Sequence, residues 1–320
     1  MRERDENLVP VGGQAVIEGV MMRAKGMVAT AVRKADGEIV IQKAPFRSLA
    51  EKFPLLKLPL LRGAVGLVEM MVIGIRTLNY SAEVSMGSEK GKGDKGGGSL
   101  MLGLTVAFSL LVGVAVFFAL PLVATSLLFD VGQEPLLFNL TAGLIRILLL
   151  LGYLSAISFS KEIRRVFEYH GAEHKAVFAF EKGEELTPEA ASRQSRFHPR
   201  CGTSFLLIVM LSSILLFSVL DAMLLSWLGE LTLPVRLLTH LPLIPLVGGM
   251  SYEFIRASAK SSGTLIGRAL IAPGLWLQRI TTREPSIDQL EVAVAALRSA
   301  LGEDLQVAPV TIAAMEPVVQ

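Results

Sequence analysis

Charge and cysteine are scarce in this sequence. Only 19% of its 320 residues are charged and 52% are hydrophobic, whereas soluble domains carry roughly a quarter charged residues. That imbalance points to a chain that hides apolar surface in lipid. A single cysteine, Cys201, excludes an intramolecular disulfide and suits a reducing compartment. The formal net charge is only +2, and no basic run is interleaved with aromatics, so the electrostatic footprint of a nucleic-acid partner is missing. The opening MRERDENLVP lacks the apolar core of a signal peptide, which keeps the N-terminus in the cytosol. A phosphate-binding loop is missing too, because Gly12-Gly13 before Gln14 has neither the spacing nor the lysine.

Long apolar runs are what is there. Ser99 to Phe129 contains no charged residue, and about 20 apolar residues in a helix suffice to cross a bilayer core. Leu136 to Ser160 is a second span interrupted by Arg146, and Cys201 to Leu220, extending toward Trp227, is a third. A fourth, from about Leu233 to Tyr252, carries Arg236, His240, Pro234, Pro242 and Pro245. Its prolines remove helical donors, so it must be kinked or supported by its neighbours. Arg146 and Arg236 are costly within spans and should face the bundle interior.

Loop charge sets the orientation. The connections Asp130 to Pro135 and Asp221 to Leu233 hold no Lys or Arg, whereas Lys161, Arg164, Arg165, Lys175, Lys182, Arg193, Arg196 and Arg200 lie between the second and third spans. Both termini are therefore expected in the cytosol, with the chain threaded repeatedly through an inner membrane.

The remaining segments divide into a strand-bearing N-terminal portion with an amphipathic helix (1–86), a Gly-Lys-rich linker (87–99), the bundle with its polar segment (100–262), and a C-terminal part (263–320). Asp36-Gly37 between MVATAVRK and EIVIQK signals a hairpin. From Phe53 to Ala82 a long Leu-, Val- and Met-rich helix carries Arg62, Glu69 and Arg76 seven apart, which puts the three charges on one side and suggests a helix lying on the membrane surface or against the bundle. Leu265 to Ile280, with Trp276, Arg268 and Arg279, reads as interfacial. Ser286 to Gln289 is a capping box, followed by an apolar stripe at Ile287, Leu290, Val294, Leu297 and Leu301. That stripe packs on the protein's own cytosolic part or, less simply, on a partner protein. The fold class expected is a mainly α polytopic membrane protein with about four transmembrane helices, amphipathic helices and a small strand-containing cytosolic portion.

The sharpest chemical signal is Glu168-Tyr169-His170-Gly171-Ala172-Glu173-His174-Lys175. On a helix, His170 and His174 share a face and can bind one metal, with Glu173 placed as a general base toward water held there. His-x-x-Glu-His is the inverted zinc-protease pattern, though five residues alone match often by chance. Topology adds to it. His198 and Cys201 open the third span, and Glu253 sits where the fourth leaves the membrane, so all five candidate ligands fall at one leaflet's edge. A third ligand from His198 or Glu253 would leave an open, catalytic position, whereas His170, His174, His198 and Cys201 together would close a structural site. Blander roles stand beside these. Cys201 can be a small buried apolar residue, Glu253 can pair with Arg256 or another cation, and His198 with Arg193, Arg196 and Arg200 can bind lipid phosphates. His240 is simplest as a satisfied intramembrane histidine.

VGGQAVIEGVMMR (Val11 to Arg23), LNYSAE, EYHGAEHK, HPRCGTSF, SYE and PGLWLQRITTREP (Pro273 to Pro285) resemble the YqhQ-type family of bacterial membrane proteins, six blocks in order between about residues 11 and 300. That family is a domain of unknown function labelled as a predicted metal-dependent enzyme. The resemblance implies a metal at His170, His174, Glu173, His198 and Cys201 and a bacterial cytoplasmic membrane, but neither substrate nor reaction. The first block suggests a strand and turn docking on the site. The resulting expectation is a divalent metal, zinc foremost, serving hydrolysis of a peptide or lipid-linked substrate, with membrane lipids as surroundings. The alternatives are a scaffold with a structural metal, or a transporter or lipid-handling protein using Arg146 and Arg236.

Overall fold

The computed structural model describes residues 11–24, 26–87, 97–129, 132–260, 264–303 and 310–314. The charged N-terminal decapeptide, most of the Gly-Lys-rich linker (88–96) and Asp130 lie outside the described residues.

Strands β1 (Gly12–Val16), β2 (Gly19–Ala24), β3 (Met27–Arg33) and β4 (Ile39–Pro45) form an antiparallel meander, and β5 (Val310–Ala314) adds in parallel to β4. The Asp36-Gly37 hairpin forms as expected, with Gly37 at φ 91°, a conformation that glycine adopts without a Cβ clash. β1 and β2 are joined by a two-residue turn whose second residue, Glu18, is also left-handed at φ 52°. Its carboxylate holds Arg165 at both oxygens and receives the Tyr169 hydroxyl at 3.4 Å.

The helices are α1 (Leu49–Lys52), α2 (Leu61–Ser85), α3 (Gly97–Val114), α4 (Leu120–Leu128), α5 (Pro135–Ile157), α6 (Lys161–Glu181), α7 (Pro188–Ser192), α8 (Gly202–Leu228), α9 (Leu233–His240), α10 (Ile244–Lys260), α11 (Leu265–Thr281) and α12 (Ile287–Leu301). A π-helical turn, Ala115–Ala119, joins α3 to α4. Four helical stretches are long and apolar enough to cross a membrane: Gly103–Leu128, Pro135–Ile157, Gly202–Leu228 and Leu233–Ser258. The fourth is broken at Leu241–Leu243, where Pro242 withholds a backbone donor.

The strand run MVATAV is apolar at successive positions because the sheet is covered on both faces. One face packs Val20, Met22, Ala31 and Ile41 on Tyr169 and Ala176 of α6 and on Leu290 and Leu297 of α12. The other packs Met21, Val28 and Phe46 on Ile73 of α2. The C-terminal stripe is thus consumed inside the protein, apart from Ile287, which is 47% exposed. The capping box at Ser286 and Gln289 is present.

One expectation about a charged residue is corrected. Asp221 does not lie in a loop. Helix α8 continues to Leu228, and Asp221 is fully buried within it. It stays in the bundle because Asn139, Arg236 and His240 all donate to its carboxylate, at 2.8, 2.9 and 2.8 Å. The long helix expected from Phe53 begins only at Leu61 and lies against the bundle, one of the two placements expected for it. The chain breaks at Pro59-Leu60, Arg62 pairs with Glu253, and Glu69 is buried, accepting from the Ser48 hydroxyl and, at 2.6 Å, from the Leu49 N–H. Arg146 does face inward, donating at 2.9 Å both to the Phe117 carbonyl of the π-turn and to the Ser213 hydroxyl. A π-turn leaves carbonyls free to accept such a bond.

Candidate metal centre

Helix α6 sets the centre. Its Tyr169, Ala172 and Ala176 face the sheet, which leaves the adjacent His170–His174 face turned toward the entry of α8. Gly171 lets the chain after α11 cross closely, since a Cβ there would lie 2.1 Å from the Arg283 carbonyl oxygen. The crossing is fixed by the Arg283 N–H donating to the Phe167 carbonyl at 2.8 Å.

The crossing supplies an orienting group. His170 Nδ1 lies 2.8 Å from the Thr281 carbonyl oxygen, and His174 Nδ1 lies 2.5 Å from that of Arg196. A carbonyl can only accept, so both Nδ1 atoms carry the proton and both Nε2 atoms present a lone pair. Metal-ligating histidines are oriented by outer bonds of this kind. Burial also pushes the His174 ring's pKa down, against the raising pull of Cys201 and the Arg196 carbonyl, which favours the neutral form a metal requires.

Cys201 caps the N-terminus of α8. Its Sγ is 3.2 Å from His170 Nε2, 3.1 Å from the Thr203 hydroxyl and 3.4 Å from the Thr203 N–H. With the proton of His170 on Nδ1, its Nε2 accepts from the Cys201 S–H, while the Thr203 N–H donates to Sγ. One donor atom each from His170, His174 and Cys201 lies within 4.8 Å of the other two. Two imidazole nitrogens and a thiolate are a zinc-type set, and donors at roughly 2.0–2.3 Å from one ion stand no more than about 4.6 Å apart, so a small contraction of this group would surround one.

The other candidate ligands are held elsewhere. His198 is buried, its ring centroid 5.6 Å from that of His174, but both its nitrogens are engaged. Nε2 sits 3.3 Å from Glu181, and Nδ1 accepts from the Arg200 N–H at 3.3 Å. Glu253 pairs with Arg62 through two contacts, at 2.6 and 2.5 Å. The three-donor group therefore includes neither. Glu173 is buried and capped by the backbone N–H groups of Gly13 and Ala15, while burial raises its carboxyl above the usual range against the opposing effect of His170 and His198. The Gly13 block thus docks on α6, and a Cβ on Gly13 would meet Glu173 Cγ at 3.0 Å.

The frame around these residues is not legible in the sequence. Gln278, fully buried on α11, accepts from the His198 N–H at 2.8 Å and donates to the His198 carbonyl at 2.7 Å and the Ser204 hydroxyl at 3.0 Å. It fastens the loop carrying Cys201. A lone glutamine in the apolar run LIAPGLWLQRI was the only signal available, and backbone carbonyls leave none.

A family model described as "Protein of unknown function (DUF1385)" matches residues 58–303. The chain is 34% identical over 304 residues to the uncharacterized protein YqhQ of Bacillus subtilis (strain 168), an alignment covering 91% of this chain and 92% of that protein. No solved structure gives a significant match.

Proposed function

We propose that this chain, which belongs to the YqhQ-type DUF1385 family of proteins of unknown function, holds a divalent ion of the zinc class at the cytosolic edge of a bacterial inner membrane and hydrolyses a peptide or lipid-linked substrate there. The observation that carries the reading is the convergence of His170, His174 and Cys201, whose donor atoms lie within 4.8 Å of one another while two backbone carbonyls fix the histidine tautomers. When bound, such an ion supplies Lewis acidity toward water and a carbonyl or phosphoryl oxygen. The chain's own part is to hold the ion with three donors, to position Cys201 through Thr203 at the start of α8, and to offer Glu173 as the proton acceptor. Metal analysis of protein purified without added chelator tests the site. About one zinc-class ion per chain is expected, and His174→Ala should lose it. An equally metal-free parent and variant would end the proposal.

One observation favours a second reading, a membrane scaffold with a structural metal clip. The Glu173 carboxylate already caps the edge of the sheet through Gly13 and Ala15, which is a structural occupation. Glu173→Gln separates the two. The hydrolase should keep its metal and lose turnover of model peptide or phosphoester substrates by about 100-fold or more, the scale of general-base catalysis. A scaffold should keep whatever function the parent has.

A further inference from the structure

We infer that the segment from Phe53 to Val72 is sunk into the lipid leaflet on the sheet side of the bundle, as a re-entrant wedge beside α10 that does not cross the membrane. This is independent of any metal.

The first observation is depth. A Cβ on Gly249 would lie 2.3 Å from the Leu60 carbonyl oxygen, and a Cβ on Gly63 would meet Gly249 Cα at 3.0 Å and Tyr252 Cβ at 2.9 Å. The backbone at Leu60–Gly63 therefore touches a candidate span, Leu233–Ser258, at a point nine residues before its end. Glu253, where this span leaves the membrane, is four residues on, so at 1.5 Å per residue the contact lies about 6 Å inside the leaflet's edge. Farther along, α2 leaves the bundle for the sheet: Gln14 lies against Gly74, and the Ile17 N–H donates to the Ser81 hydroxyl at 3.2 Å.

The second observation is what faces outward at that depth. Leu55, Leu58, Leu61 and Val68 are 73%, 51%, 47% and 55% exposed. Of the three charged residues in 54–75, Arg62 is paired with Glu253 and Glu69 is buried against Ser48 and Leu49. Lys57 sits on a flexible stem long enough to reach the headgroups. Water would gain little from such a surface, and lipid tails lose nothing by covering it.

The third is that two prolines and a run of local bonds reduce the number of open backbone donors in the turn, which lipid favours. Pro54 and Pro59 bring no N–H. The Leu56 and Leu58 N–H groups donate to the Phe53 and Leu55 carbonyls at 3.0 and 3.2 Å, and those of Arg62 and Ala64 to Leu58 and Leu60 at 3.1 and 3.0 Å. Leu60 takes up a left-handed φ of 71° to make the turn.

The test places nitroxide labels on the full chain in nanodiscs of phosphatidylcholine and phosphatidylglycerol. Leu55→Cys, Val68→Cys and Val72→Cys are made in a Cys201→Ser parent so that each label is unique, with Asp36→Cys in the exposed hairpin as the aqueous reference. Oxygen collisions should exceed those of the water-soluble nickel reagent at 55, 68 and 72, and the ratio should reverse at 36. Nickel-dominated relaxation at the three sites would mean water, and exclusion of both reagents would mean a protein cover such as a second copy; either overturns the inference. Hydrogen exchange of the unmodified protein in the same discs gives a second reading. The Leu55–Leu61 amides should exchange slowly, and exchange as fast as in the Asp36 turn would overturn it.

Discussion

Asp221→Ala should destabilise the protein by about 3–5 kcal/mol, the scale for removing one partner of a buried ion pair. The carboxylate is fully buried in α8 and receives three donors, from α5 and α9. Its loss strands Arg236, which is 2% exposed and, among the described residues, otherwise holds the Gly132 carbonyl at 2.6 Å and the Phe138 ring face. It also strands His240, stacked on Phe217 with ring centroids 4.1 Å apart, whose Nδ1 has no partner to fall back on. The cost arises because apolar surroundings offer no replacement solvation for an arginine. Reversible unfolding in mixed micelles, followed by circular dichroism, reads the difference. Asn139→Ala removes one neutral donor and should cost about 1 kcal/mol. If Asp221→Ala fell within that smaller figure, the cluster would not be what joins α5, α8 and α9.

The second large effect is expected at Gly171. A methyl group there would sit 2.1 Å from the Arg283 carbonyl oxygen, and a backbone atom has no rotamer by which to move aside. Gly171→Ala should therefore lift the Arg283 crossing from α6, at about 1–3 kcal/mol as for other overpacked positions. Because Thr281, two residues upstream, holds His170 Nδ1, the same change should weaken any metal bound by about 10–100-fold, as the loss of an orienting bond does elsewhere. Gly152→Ala is the control. It sits in α5 with nothing within 4 Å of an added Cβ and should be neutral or slightly stabilising. Equal metal affinity in Gly171→Ala and the parent would show that the Thr281 carbonyl does not orient the ring.

The polar residues of the spans explain why reading them in sequence gave mixed results. Arg146 and Arg236 were readable as inward-facing because an arginine facing lipid is too costly. Asp221 was misread as the start of a loop, because a charge at the end of an apolar run looks like an exit when its partners are not in view. They lie on α5 and α9, 82 residues before and 15 residues after it. The partners of Arg62 and Glu69, and the start of their helix at Leu61, were out of view for the same reason. Periodicity reports which side of a helix a residue is on, but not whether that side meets water, a carboxylate or a buried hydroxyl.

Alone, the sequence determined the four long apolar helices, the breaking of the fourth by its prolines, the hairpin at Asp36-Gly37, the capping box, and the face shared by His170 and His174. Each follows from local physics: hydropathy, backbone constraint, or the helical repeat. Only the tertiary structure decided which of five candidate ligands meet. It brought Cys201 to His170 and His174, gave His198 to Glu181 and Glu253 to Arg62, and set Glu173 against the sheet edge. Those choices depend on how α6, α8 and α11 cross, and on a glycine narrow enough to let Thr281 reach an imidazole, which are distances through space that no local pattern encodes.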